Sequence, residues 1–184
     1  DASGRASSGS GTVSVNLTLS GGAGGISSYD GAASGASAGN GASVVLGNAV
    51  EGSTTGALSL SQQAYGGAGG YAYNAQSGSG GNASSSLVLS DSVASSLSLY
   101  AGANGGAGGA NYGGSASNLV GAAGQASALA DGQGSGTVNV YSYASGGDSG
   151  NTNSAATTQG GLASSIARGS SSGGDVAVTA RARG

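Results

Sequence analysis

Apolar and polar residues alternate in five short stretches of the chain, and each alternation runs into glycine. The stretches read TVSVNLTLSGG from Thr12, ALSLSQQAYGG from Ala57, SLSLYAGANGG from Ser96, TVNVYSYASGG from Thr137 and DVAVTARARG from Asp175. The glycine pairs begin at Gly21, Gly66, Gly105 and Gly146, and Gly184 takes the fifth place. Successive spacings of 45, 39, 41 and 38 residues give a period of about 41. In this register Val13, Leu58, Leu97, Val138 and Val176 align. So do Val15, Leu60, Leu99, Val140 and Val178, and further on Leu19, Ala64, Ala103, Ala144 and Ala182. Alternation is the period of a half-buried strand, because successive side chains point to opposite faces. The pattern predicts one repeat array over residues 1–184, with strand units at 12–22, 57–67, 96–106, 137–147 and 175–184.

A second apolar patch precedes most of these strands, as ASVVLGNAV from Ala42, SSLVLSDSV from Ser85 and, more weakly, LASSIA from Leu162. A third and poorer one follows the glycines, as YAYNAQ from Tyr71 and ANYGG from Ala110. One repeat therefore holds two or three short strands joined by corners rich in Gly, Ser and Asn. At such corners glycine is expected to supply the positive φ of tight turns. A unit this small cannot bury its own apolar face, and stacking on a neighbour solves the problem. The predicted fold is all-β, a repetitive β-solenoid-like array of short strands with Gly-rich corners. The two aligned Val/Leu columns, headed by Val13 and Val15, form its core ladder. The runner-up architecture packs glycine helices, because GGAGG occurs from Gly21, Gly66 and Gly105. Whether one repeat makes one turn or two stays open.

Composition narrows the chemistry. The chain has 184 residues, 42 of them glycine, with no Cys, His, Pro, Met, Trp or Phe and 6% charged residues. Lysine is also absent. A disordered Gly/Ser spacer is the alternative that such a composition raises, but disorder usually accompanies high net charge, and here the net charge is -3. A serine triad needs a base, and none is present. The acids Asp1, Asp30, Glu51, Asp91, Asp131, Asp148 and Asp175 are isolated along the chain, which argues against a carboxylate pair. GGDSGN from Gly146 departs from the order of calcium-binding repeats and occurs once. The chain reads as no enzyme, with no cofactor and no metal. Four arginines give no nucleic-acid footprint, and no apolar run reaches the roughly 18 residues of a membrane span. Asn16 and Asn82 open glycosylation sequons. Without an initiator Met or a signal peptide, the chain looks like a processed or excerpted piece.

Tyr65, Tyr100, Tyr141 and Tyr143 fall on the parity opposite the Val/Leu columns, and Arg181 and Arg183 take that parity in the last unit. If the ladder is inside, these side chains face outward as a stripe for lateral contact with other copies or with glycans.

The blocks TVNVYSYASGG and DVAVTARARG among GGAGG corners resemble the β-strand-repeat surface proteins of Gram-negative bacteria, adhesin- or matrix-like and akin in style to filamentous-haemagglutinin solenoids. The resemblance covers most of the chain and implies secretion, a β-solenoid and a role in fibres, adhesion or biofilm matrix. The expectation is an extracellular or cell-surface structural protein that self-assembles into a fibre, sheath or matrix, its partners being other copies of itself. The array starts near one strand of the repeat and finishes on the equivalent strand, and open strand edges favour stacking. The alternative is an adhesin stalk or a module binding glycan or ice through outward Tyr, Thr and Asn.

Overall fold

The computed structural model describes residues 2–27, 35–112, 120–151 and 159–184. Asp1 and Asp30 lie outside them. The described residues hold thirteen strands and no helix: β1 (Gly4–Ser7), β2 (Val13–Ser20), β3 (Val44–Gly47), β4 (Val50–Ser53), β5 (Ala57–Tyr65), β6 (Ala72–Tyr73), β7 (Ala83–Asp91), β8 (Ser96–Asn104), β9 (Asn111–Tyr112), β10 (Ala126–Gly134), β11 (Thr137–Ser145), β12 (Ala163–Ser171) and β13 (Val176–Arg183). A five-stranded sheet runs β13-β11-β8-β5-β2, and a four-stranded sheet runs β12-β10-β7-β3. The pairs β1-β4 and β6-β9 make two small sheets. All these ladders are parallel.

The chain is a β-solenoid with one turn per repeat. In the five-stranded sheet the register pairs Val13 with Leu58, Leu58 with Leu97, Leu97 with Val138 and Val138 with Val176. Those are the columns that the alternation predicts. The four-stranded sheet pairs Val44 with Ala83, Ala83 with Ala126 and Ala126 with Ala163. Parallel neighbours need a long crossover between them, and here the crossover is the rest of the turn. The two sheets face each other. Leu58, Leu60, Leu97, Leu99, Val138 and Val140 from one meet Leu87 and Ala130 from the other, with Val50 of β4 beside them, in a thin aliphatic core. Glycines inside the four-stranded sheet keep it thin. A Cβ on Gly132 would stand 2.9 Å from a Val140 methyl and 3.1 Å from a Leu99 methyl.

The glycine-rich segments do more than turn the chain. Gly21, Gly24 and Ser27 donate to the carbonyls of Tyr65, Ala68 and Tyr71, and Gly66, Gly69 and Ala72 to those of Asn104, Ala107 and Ala110, at 2.8–3.0 Å. A bond at every third residue is the period of a polyproline-II helix, which has three residues per turn and no internal bonds. Outgoing and returning segments also bond each other in a zigzag. Gly67 donates to Ala42, Gly81 to Gly67, Gly106 to Gly81, Gly124 to Gly106 and Gly147 to Gly124, each at 2.8 Å. Packed glycine helices, the runner-up reading, thus describe one section of a solenoid turn. The reason for glycine there needs correction. Among the described glycines only Gly35 has a positive φ, and the other positive values belong to Asn48 and Asn74. What excludes a side chain is proximity: a Cβ on Gly106 would collide with the Gly67 carbonyl, and one on Gly81 with that of Ala42.

One turn departs from the others. β3 follows β7 only as far as Gly47. Asn48, at φ 45°, then swings the chain away so that β4 pairs with β1 instead. Gln62, fully buried on β5, fills the resulting gap. Its Oε1 accepts from the Ala49 amide at 2.9 Å, and its Nε2 donates to Ser85 Oγ at 3.1 Å and to the Ser86 carbonyl at 3.0 Å.

Candidate functional site

The outer face of the five-stranded sheet collects the tyrosines. Leu97 and Leu99 of β8 and Val138 and Val140 of β11 point into the core, so Tyr100 of β8 and Tyr141 and Tyr143 of β11, on the opposite parity, are set outward by the pleat. Tyr100 and Tyr141 are direct register partners. Their rings stack at 5.2 Å between centroids with 6° between planes. The stack is two rings long, because the next residues in that row are Ser61 on one side and Thr179 on the other. Tyr143 lies one row over, between Gly102 and Arg181. Tyr65 lies a further row over, beside Asn104, and its hydroxyl donates to Gln63 Oε1 at 2.7 Å.

Gly102 gives the Tyr100 ring its place. A Cβ there would stand 2.9 Å from Tyr100 Cε1 and 3.2 Å from its hydroxyl oxygen. The ring therefore lies along its own strand rather than rising straight into solvent. Burial, and then the neighbouring phenols of Tyr141, Tyr65 and Tyr143, raise the Tyr100 phenol above its ordinary 10.0. The four tyrosines singled out by parity thus form one cluster. Arg181 borders it through Tyr143, whereas Arg183 stands in the row of Ser145, and both arginines are exposed on β13. The core-ladder residues are buried from Val13 to Val140. Val176 and Val178 complete the columns but stand 43% and 44% exposed, because β13 has a strand partner on one side only.

No family model, curated protein or solved structure matches the chain.

The remaining polar groups are spread over the surface in local roles. Asp91 Oδ1 accepts from the Val93 and Ala94 amides at 2.7 Å and shapes the turn into β8. Glu51 pairs with Arg5, and Asp131 lies 3.9 Å from Arg168. Asp148, in the GGDSGN segment, receives the Gly108 amide on its main-chain carbonyl at 2.9 Å. Among the described residues, no three His, Cys, Asp or Glu side chains gather as metal ligands, and no helix is long and apolar enough to cross a membrane.

Two features escaped the sequence reading. A groove of about 520 Å3 runs across the four-stranded sheet, along Val45, Ser84, Ser127 and Ser164 beneath Asn82 and Gln125. Gln62 did leave a signal, since it follows Leu58 and Leu60 on the inward parity of its strand.

Proposed function

We propose that this chain is an extracellular structural protein that assembles into a fibre, sheath or matrix by stacking its solenoid turns on those of other copies. The observation that carries the reading is the equivalence of the turns. β5, β8, β11 and β13 each repeat the register of the strand before them in one ladder, and β7, β10 and β12 do so in the other. Adding one more turn in this register would need only the same backbone ladder and the same inward Val/Leu columns, so a turn of another copy suits it as well as a turn of the same chain. Electron microscopy with sedimentation across a concentration series tests this. Filaments of solenoid width are expected, and a monomer at high concentration would overturn the proposal.

The clustered tyrosines favour a second reading, an adhesin surface that holds glycan on the outer sheet face. Tyrosine brings large contact area at small entropic cost. A glycan array with wild type and Tyr141→Ala separates the two: specific binding lost in a folded variant would promote this reading over the first.

A further inference from the structure

The geometry points to the Tyr100–Tyr141 stack as an oxidative cross-linking site, where a haem peroxidase with hydrogen peroxide joins two solenoid turns through a dityrosine bond. The inference stands apart from assembly, because both rings belong to one chain. A protein without Cys or Lys has neither disulfides nor lysine-derived isopeptide bonds available, and its tyrosines are the side chains left that couple oxidatively.

Tyrosyl radicals carry spin on the ring carbons ortho to the oxygen, in p orbitals perpendicular to the ring. Coupling therefore needs two faces in overlap. Tyr100 and Tyr141 supply that, with planes 6° apart and centroids at 5.2 Å. Their strands hold the rings side by side through a continuous register. Tyr71 and Tyr112 are the useful contrast. Their centroids are also close, at 5.7 Å, but the rings meet at 78°, edge to face, which directs a C–H bond at the partner's π face. They are at least as available to solvent, at 40% and 46% exposed, so exposure alone would couple them first. In the stack each phenol gives one electron and one proton, and one hydrogen peroxide is reduced to two waters. The two radicals form one Cε–Cε bond, and the hydrogen on each joined carbon then moves to its oxygen, restoring both phenols. The row holds two rings between Ser61 and Thr179, so coupling stops at one bond.

The experiment treats the dilute full chain with a haem peroxidase and hydrogen peroxide, follows dityrosine fluorescence, and maps the product after cleavage before aspartate. Tyr100 and Tyr141 then lie in different peptides, because Asp131 falls between them. The expected product is a monomer lighter by two hydrogens, with residues 91–130 joined to 131–147. The link should disappear in Tyr100→Phe and in Tyr141→Phe and persist in Tyr112→Phe and Tyr143→Phe. Gly102→Ala keeps every tyrosine but crowds the Tyr100 ring, and should lower the yield while circular dichroism still shows the strands. A Tyr71–Tyr112 link in place of the stack, links only between chains, or no dityrosine in the folded protein would each overturn the inference.

Discussion

Replacing Gln62 should show how far a single amide secures the irregular turn. Gln62→Leu preserves volume and removes every hydrogen bond of the side chain. The Ala49 amide then loses its acceptor, and Ser85 Oγ loses a partner. The Ser86 carbonyl keeps the Asn48 amide at 2.8 Å. One orphaned buried donor costs about 1–3 kcal/mol, and a lost hydroxyl bond adds about 0.5–1.5 kcal/mol. Burying a leucine side chain in place of an amide offsets part of this, leaving a net loss of about 2–3 kcal/mol. For a chain of this length that lowers the melting temperature by roughly 4–12 °C. Gln62→Glu sharpens the test. The acid form still accepts from Ala49 and donates one bond, but a carboxylate would face the Ser86 carbonyl. Burial and that oxygen should raise its folded pKa above the ordinary value of about 4.3. The variant should therefore approach wild-type stability below about pH 4 and lose it as pH rises through the folded pKa. Urea unfolding followed by circular dichroism reads both effects. Gln62→Leu within about 0.5 kcal/mol of wild type, or Gln62→Glu without pH dependence, would refute the reasoning.

Gly105→Val should disrupt the fold far more than Asp148→Asn, since a Cβ at Gly105 would collide with the Gly124 carbonyl, whereas Asp148 contributes its main-chain oxygen; thermal melts of both variants decide. Assemblies should survive salt, because screening weakens charges but leaves backbone ladders intact; turbidity across a salt series checks this, and dissolution by moderate salt would show that electrostatics hold them. Stability should fall at alkaline pH: the raised Tyr100 phenol ionises first in the unfolded chain, so its contribution is full below pH 10.0 and is lost as pH rises through the folded value. Melts from about pH 8 to about pH 11 should show a shallower decline for Tyr100→Phe.

The sheet of Val/Leu columns was legible because large side chains repeat in one register and parallel pairing preserves that register. β10 was not legible. Its inward residues are Ala126, Ala128, Ala130 and Gly132, and its outward ones include Ser127 and Asp131, so it alternates in position without alternating in hydropathy. It is a strand because β7 and β12 hold it on both sides, which is a property of neighbours. β1 went unseen for a similar reason, as GRAS pairs with a strand formed only after Asn48 turns the chain. The tyrosine parity was readable, but the stack was not. The register already sets Tyr100 against Tyr141 in successive units, but whether their rings lie face to face depends on side-chain rotamers, which the residue pattern does not carry.

The solenoid joins two interiors that obey different rules. Between the sheets, side chains fill the space, and each buried Leu or Val contributes roughly 1.5–3 kcal/mol. Between the glycine segments no side chain fits, and the contacts are amide to carbonyl at 2.8–3.0 Å. Each such bond contributes only about 0.5–1.5 kcal/mol net, against about 1–2 kcal/mol to order each residue. The glycine layer is therefore too weak to stand alone. It forms because the strands on either side already fix where each turn begins and ends. The zigzag from Gly67 to Gly81 to Gly106 in turn ties successive turns together where the sheets do not reach. A slip of one residue in the strands would turn Leu58 and Leu97 outward and carry a side chain into a place that only glycine fits. Both interiors thus demand the same register, so neighbouring turns should fold as cooperative units rather than as independent layers.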